Sequence, residues 1–258
     1  MHLKLTQDWE NHWHPQEYLS QYYETPRVAD DEKTIYQFLM SYLRRRKTPL
    51  ASALDIGTGP TVHHEIMLAP YTRHLDIADF LQPNLSEISR WLNGEGGAHN
   101  WDTYVKGILA MEGASEISPS TIEARKRLVK ERVRQVLRCN IKQAQPLGRD
   151  VQYPLVTAFY LADSVASSKA DWSLYMANIA SLVSPGGMLL ISALRNAEYY
   201  RVGNALFPSA KVNEDDVRRF FQSHNFQPDS IDVQVDFVAE WKDEGFDSIV
   251  IAAARKNA

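Results

Sequence analysis

The chain has 258 residues, 44% of them hydrophobic, and a net charge of −4. That is enough for one α/β domain with a full core, and no basic excess suits a nucleic-acid partner. A single cysteine, Cys139, excludes an internal disulfide framework, and no apolar run approaches the roughly 18 residues of a membrane span.

The opening MHLKLTQDWENHWH lacks an apolar signal-peptide centre, so a soluble cytoplasmic protein is expected. Residues 1–50 precede the first strand and are rich in aromatics, among them Trp9, Trp13, Tyr18, Tyr22 and Tyr23. Asp30 to Arg46 carries Ile35, Phe38, Leu39, Tyr42 and Leu43 at helical spacing and predicts a helix. From Ser52 strand and helix patterns alternate. Strands are predicted near 52–56, 74–79, 135–140, 154–160, 187–193, 230–238 and 247–254, and helices over 83–92, 120–136, 172–182 and 212–224. The stretch 93–119 holds five glycines and reads as irregular or inserted. Ser184-Pro185-Gly186-Gly187 reads as the stop between a helix and a strand.

The chemistry is concentrated in ALDIGTGPT, residues 53–61, followed by Asp79 at the end of the next apolar run. Glycines let a backbone turn tightly and let a ligand approach without a Cβ in the way. A carboxylate at the tip of the second strand can accept hydrogen bonds from two vicinal ribose hydroxyls. The dinucleotide pattern wants a third glycine where this chain has Val62, so a pyrophosphate is disfavoured though a nicotinamide cofactor stays open. Asp55 before the turn suits a cationic ligand such as S-adenosylmethionine. The eight histidines show no ligand spacing, and no metal is expected.

Alternating strands and helices predict a mainly parallel sheet, while the last two strands, joined only by KDEG, must run antiparallel. This is the arrangement of a Rossmann-like class I methyltransferase: a seven-stranded, mostly parallel sheet closed by an antiparallel C-terminal hairpin. A single domain over 1–258 is expected, with an N-terminal helical cap (1–50) on the core (51–258).

HPQEYLSQYY (14–23), LDIGTGPTVHH (54–64), DFLQPNLSEISRWL (79–92), VLRCNIKQAQPLG (136–148), LVTAFYLAD (155–163), LVSPGGMLLISAL (182–194), YYRVG (199–203) and DEGF (243–246) occur in this order. In these segments the chain resembles the small-molecule methyltransferase family that contains nicotinamide, phenylethanolamine, thioether and indolethylamine methyltransferases. The resemblance covers nearly the whole chain. It implies that Tyr18 and Tyr23 cover the cofactor, and that Gly57, Thr58, Gly59, Thr61, His63 and Ala158 lie at its methionine end. It also implies that Asp79, Phe80 and Asn84 hold the ribose side, and that Asn140 and Ile141 meet the adenine. Tyr18, Phe159, Asp163, Asn196, Tyr200 and Glu244 would face the substrate. The chain departs from the family in Asn140, where an aspartate is usual, in His63, where a tyrosine is usual, and in Ser192, where the nicotinamide enzyme has an aspartate. Nicotinamide is therefore not the expected acceptor.

The expected reaction is in-line transfer of the sulfonium methyl of S-adenosylmethionine to a neutral amine. Tyr18, Asp163 and Glu244 are the catalytic candidates, the two carboxylates attracting the cation and relaying its proton. The expected substrate is a small basic amine, with a guanidine-bearing one in specialised metabolism as the finer reading. The expected partners are that amine alone, with neither nucleic acid nor membrane, on a monomeric protein. O- or S-methylation of a neutral acceptor, or a non-catalytic adenosyl-ligand binder, stay open.

Overall fold

Both faces of the central sheet are covered, and the alternation along its strands says why. On the last strand Ile249, Ile251 and Ala253 pack into one apolar cluster while Val250, Ala252 and Ala254 pack into the other. The computed structural model describes residues 5–258. The first four residues, which belong to the stretch read for a signal centre and to the expected cap, lie outside the described residues.

Three helices come first: α1 (Trp9–His12), α2 (Pro15–Tyr22) and α3 (Asp30–Leu43). The core follows as β1 (Ala53–Ile56), α4 (His63–Leu68), β2 (Leu75–Asp79), α5 (Gln82–Asn93), α6 (Asp102–Met111), α7 (Pro119–Arg132), β3 (Val133–Arg138) and β4 (Tyr153–Phe159). It continues through α8 (Ala162–Val165), α9 (Lys169–Ser181), β5 (Val183–Leu194), β6 (Tyr199–Val202), β7 (Ala205–Pro208), α10 (Glu214–Ser223), β8 (Asp232–Phe237) and β9 (Ser248–Arg255). The seven-stranded sheet has the order β3-β2-β1-β4-β5-β9-β8, and β6 and β7 form a separate hairpin. Strands β1 to β5 pair in parallel, whereas β9 runs antiparallel to both β5 and β8. Among the described residues, no helix is long and apolar enough to cross a membrane.

The sheet brings the C-terminal ends of β1, β2 and β4 side by side, with Ile56 opposite Ala78 and Asp55 opposite Thr157. Loops leaving these ends form the floor of the site. Helix α3 packs its Ile35, Phe38, Leu39 and Leu43 against one face, and α9 and α10 cover the other through Trp172, Met176, Ile179, Phe220 and Phe221.

Four expectations change. The stretch 93–119 contains the regular helix α6. Its Gly107 does not break the helix, because a Cβ there would stand 2.4 Å from Val28 Cγ2; the glycine lets α6 approach the cap. The Ser184–Gly187 quartet lies inside β5, at a register shift against β4, rather than before the strand. The β8 strand stops at Phe237, and a 3-10 turn over Ala239–Glu244 carries Trp241 back towards the cap. The β6–β7 hairpin was read only as the segment YYRVG, although its Gly203-Asn204 turn is a hairpin signal.

Candidate active site

A cavity of about 220 Å³ opens between the cap and the C-terminal ends of β1, β2 and β4. Gly57 and Gly59 lie on its wall with φ of 76° and 64°, the left-handed region that glycine adopts at little cost. Thr61 is buried behind the turn and pins it, its hydroxyl donating to the Thr58 carbonyl at 2.7 Å. Tyr18 covers the turn from above: its Cε1 lies 3.7 Å from where a Cβ on Gly59 would stand.

Asp79 ends β2 with its carboxylate on the cavity wall. It accepts hydrogen bonds from Gly59 N at 2.9 Å, Leu81 N at 2.8 Å and Asn84 Nδ2 at 2.9 Å. Burial raises its pKa, and these donors oppose the shift. Asn84 in turn accepts from the Trp13 indole at 2.9 Å, so the cap reaches the carboxylate through one side chain. Phe80, Asn140 and Ile141 line the same end of the cavity. Asn140 turns its Oδ1 to the Lys142 amide at 3.0 Å.

The other end is aromatic and acidic. Tyr22, Tyr23, Phe159, Tyr160, Tyr200, Trp241 and Phe246 line it together with Asp31 and Glu32. Asp31 accepts from Trp241 Nε1 at 3.0 Å and from the Tyr160 hydroxyl at 3.0 Å. Burial and the neighbouring Glu32 carboxylate push its pKa up to about 7. Glu32 accepts from the Tyr23 hydroxyl at 3.3 Å through Oε1, while its buried Oε2 has no hydrogen-bond partner.

Behind Glu32 stand two buried histidines with opposite fates. His63 stacks on Tyr23 and meets Tyr36 edge-on, and the hydroxyls of Tyr36 and Tyr23 lie 2.8 and 3.2 Å from its two ring nitrogens. Burial and the nearby His64 hold its pKa well below the ordinary value, so it stays neutral. For His64 burial also opposes charge, but the Asp55 and Glu32 carboxylates, 3.4 and 3.5 Å from its nitrogens, win and push its pKa up to about 10. Donor atoms of Glu32, His63 and His64 lie within 4.8 Å of one another, a grouping the spacing did not show. Both His63 nitrogens already face tyrosine hydroxyls, and the charge in the grouping is the pair of Glu32 with His64.

The cavity therefore gathers Tyr18, Tyr23, Gly57, Thr58, Gly59, His63, Asp79, Phe80, Asn84, Asn140, Ile141, Phe159 and Tyr200 from the sequence-derived set. Five others stand off it. Thr61 and Ala158 are buried beneath the wall. Asn196 is exposed in the turn after β5, at φ 56°, a conformation asparagine tolerates. Glu244 was expected to receive the amine, but its carboxylate is clasped by Arg201, with Nε and Nη2 at 2.8 and 2.7 Å, and by Gln21 at 2.8 Å. It fastens α2 to the β6–β7 hairpin. Asp163 is fully buried below Leu194, whose amide it accepts at 2.9 Å, and its Oδ1 has no partner.

That placement makes Asp163 a structural carboxyl with a testable signature. Burial pushes its pKa up to about 7, against about 3.9 in an unfolded chain. Its contribution to stability is therefore full below about pH 4 and lost as pH rises through about 7. Asp163→Asn has no such loss, so its Tm should gain on the wild type between pH 4 and pH 8, by up to about 4 kcal/mol in stability. Parallel Tm curves across that range would show the assignment wrong.

The residues missed were Asp31, Glu32, Tyr160 and Trp241. Two acids opening a helix read as ordinary complements of its dipole, and nothing local says that they are buried. Tyr160 carried a weak signal, the aromatic pair FY at the end of a predicted strand.

The family model described as the NNMT/PNMT/TEMT family matches residues 2–257. Phenylethanolamine N-methyltransferase of Macaca mulatta is 33% identical over 170 residues, which is 64% of this chain and 58% of that relative, less than two thirds of its length. Nicotinamide N-methyltransferase of Homo sapiens is 27% identical over 215 residues, 80% of this chain and 79% of the relative. Among solved structures, magnesium protoporphyrin IX methyltransferase of Synechocystis PCC 6803 with bound S-adenosylhomocysteine superimposes with a TM-score of 0.56 at 12% identity, over 97% of each chain. That likeness shows a shared methyltransferase fold. With the family model spanning the sheet, the glycine turn and the cap alike, the chain belongs to the NNMT/PNMT/TEMT family.

Proposed function

We propose that the chain is an S-adenosylmethionine-dependent N-methyltransferase of a small basic amine, its cap (1–50) and core (51–258) acting as one domain. The observation that carries this reading is a single cavity joining a glycine turn and Asp79 at one end to buried carboxylates among aromatic rings at the other. The finer reading is a guanidine-bearing amine of specialised metabolism, supported by the acidity of the aromatic end. The net charge of −4 supports a small cation over a nucleic acid, and we read the protein as a cytoplasmic monomer.

The residues present fit the cofactor. The two glycines leave backbone open to its methionine part, Asp79 offers lone pairs to a vicinal diol, and Asn140 and Ile141 would flank the adenine. When bound, the cofactor supplies an electrophilic sulfonium methyl. The chain's own part is to align the amine, exclude water and take a proton, and alignment alone is worth roughly 7–11 kcal/mol in favourable systems. The rings of Tyr18, Tyr22 and Tyr200 close the cavity from the cap side. Asp31, with a pKa of about 7, is the wall carboxyl suited to accept the proton an amine must shed before its lone pair can react.

The test is a single-turnover incubation with isotopically labelled cofactor and a panel of primary amines, guanidines, phenols and thiols, read by mass spectrometry. Label on nitrogen is the expected result. Label only on oxygen or sulfur, or cofactor binding without transfer to any acceptor, would overturn it.

A further inference from the structure

We propose that Asp31 and Glu32, on the first turn of α3, are the receptor for a planar cation of the substrate, a guanidinium group. The inference rests on the methyl-transfer reading and names the part of the site that holds the acceptor. Complementing the helix dipole from the first turn does not require either carboxylate to be buried. The first free amide of α3, at Asp30, is already taken by Glu240 Oε1 at 2.6 Å, and Asp30 itself stays exposed as acids at helix starts usually do. Asp31 and Glu32 are instead only 5% and 3% exposed.

Burying a carboxylate is costly unless opposite charge or hydrogen bonds compensate it. Asp31 accepts from the neutral Tyr160 hydroxyl and Trp241 indole and has no ion pair among the described residues, and Glu32 Oε2 faces His64 at 3.5 Å and the neutral His63 at 3.6 Å. Glu32 already shares the His64 imidazolium with Asp55, and Asp31 has no cation beside it among the described residues. The deficit is a positive charge, and both Asp31 and Glu32 face the cavity from which one can come.

Tyr160 is an independent pointer. It holds φ at 51°, a conformation bulky residues rarely adopt, and in it the phenol reaches Asp31 at 3.0 Å. Such strain survives where the surroundings over-determine it, commonly at ligand clamps. The shape of the cation follows from the walls. Tyr23, Tyr160 and Trp241 put aromatic rings on the wall beside the two carboxylates. A guanidinium forks to both, stacks on rings and is weakly hydrated; an ammonium is a strongly hydrated point charge.

The experiment is calorimetry on protein saturated with S-adenosylhomocysteine, with butylguanidine, butylamine and butylurea as probes. Butylguanidine should bind about tenfold or more tighter than butylamine, and the isosteric but neutral butylurea should not bind. Asp31→Asn and Glu32→Gln should each weaken butylguanidine about 30-fold or more, while the Kd for S-adenosylhomocysteine stays within about threefold. Tyr160→Phe, which keeps all charges, should weaken it several-fold. Butylurea binding as well as butylguanidine, or full butylguanidine affinity in either carboxylate variant, overturns the inference. Should a variant lose its fold, the guanidine–urea contrast in the wild type still decides. Failure of the wild type to bind S-adenosylhomocysteine would instead sink the methyl-transfer reading itself.

Discussion

Asp79→Asn is expected to weaken S-adenosylhomocysteine binding about a hundredfold, since a charge-assisted hydrogen bond is worth about 1.5–3 kcal/mol and two hydroxyls lose their acceptor. The substitution is nearly isosteric, but it replaces an all-acceptor group with one that carries its own N–H. Gly59 N, Leu81 N and Asn84 Nδ2 all donate to this side chain, so one of them would face an amide donor. Some stability should go with the affinity. Calorimetry measures the Kd, and far-UV circular dichroism shows whether the fold persists. An unchanged Kd in a folded variant would mean that the carboxylate serves the loop and not a ligand.

Gly57→Ala should do comparable harm by a different route. Its backbone sits at φ 76°, where a Cβ costs about 1–2 kcal/mol. That Cβ would also stand 2.3 Å from Leu161 Cδ1. Leu161 lines the cavity, so displacing its side chain disturbs the wall a ligand would meet. A Tm fall of roughly 5–10 °C is expected, together with loss of nucleoside binding. Gly59→Ala is the control. Its φ is 64°, but its Cβ meets only Tyr18 Cε1 at 3.7 Å, so it should show the backbone cost alone. Equal effects at the two glycines would refute the steric account.

What could be read in the chain and what could not divides along a physical line. The strands, the glycine turn and Asp79 were legible because each depends on local pattern: apolar runs, residues that accept positive φ, and an acid at a strand tip. Helix α6 was hidden because glycine normally breaks helices, and only the packing of Val28 against Gly107 explains its presence. The short α4, HHEIML, has no amphipathic period, because all six residues are buried, with His64 matched by Glu32 of α3 and Asp55 of β1. Glu244 and Asp163 came from resemblance, which carries a position but not the partner of its side chain. Arg201 claims one, and the Leu194 amide holds the other. The acids that do face the cavity open a helix whose buried side begins one residue after its exposed Asp30, a distinction invisible before α3 is docked.

The hydrogen-bonded chain from Trp13 through Asn84 to Asp79 has a kinetic consequence. The indole follows α1 in the N-terminal segment, and the carboxylate sits on the cavity wall where we propose the ribose binds. On the proposed reading, lifting that segment to exchange ligands would remove the partner that steadies Asn84 and so unsettle the proposed grip on the sugar. Substrates should then load in a fixed sequence, donor before acceptor, and the spent nucleoside should depart last. Steady-state product inhibition tests this: S-adenosylhomocysteine should compete with the methyl donor and not with the amine.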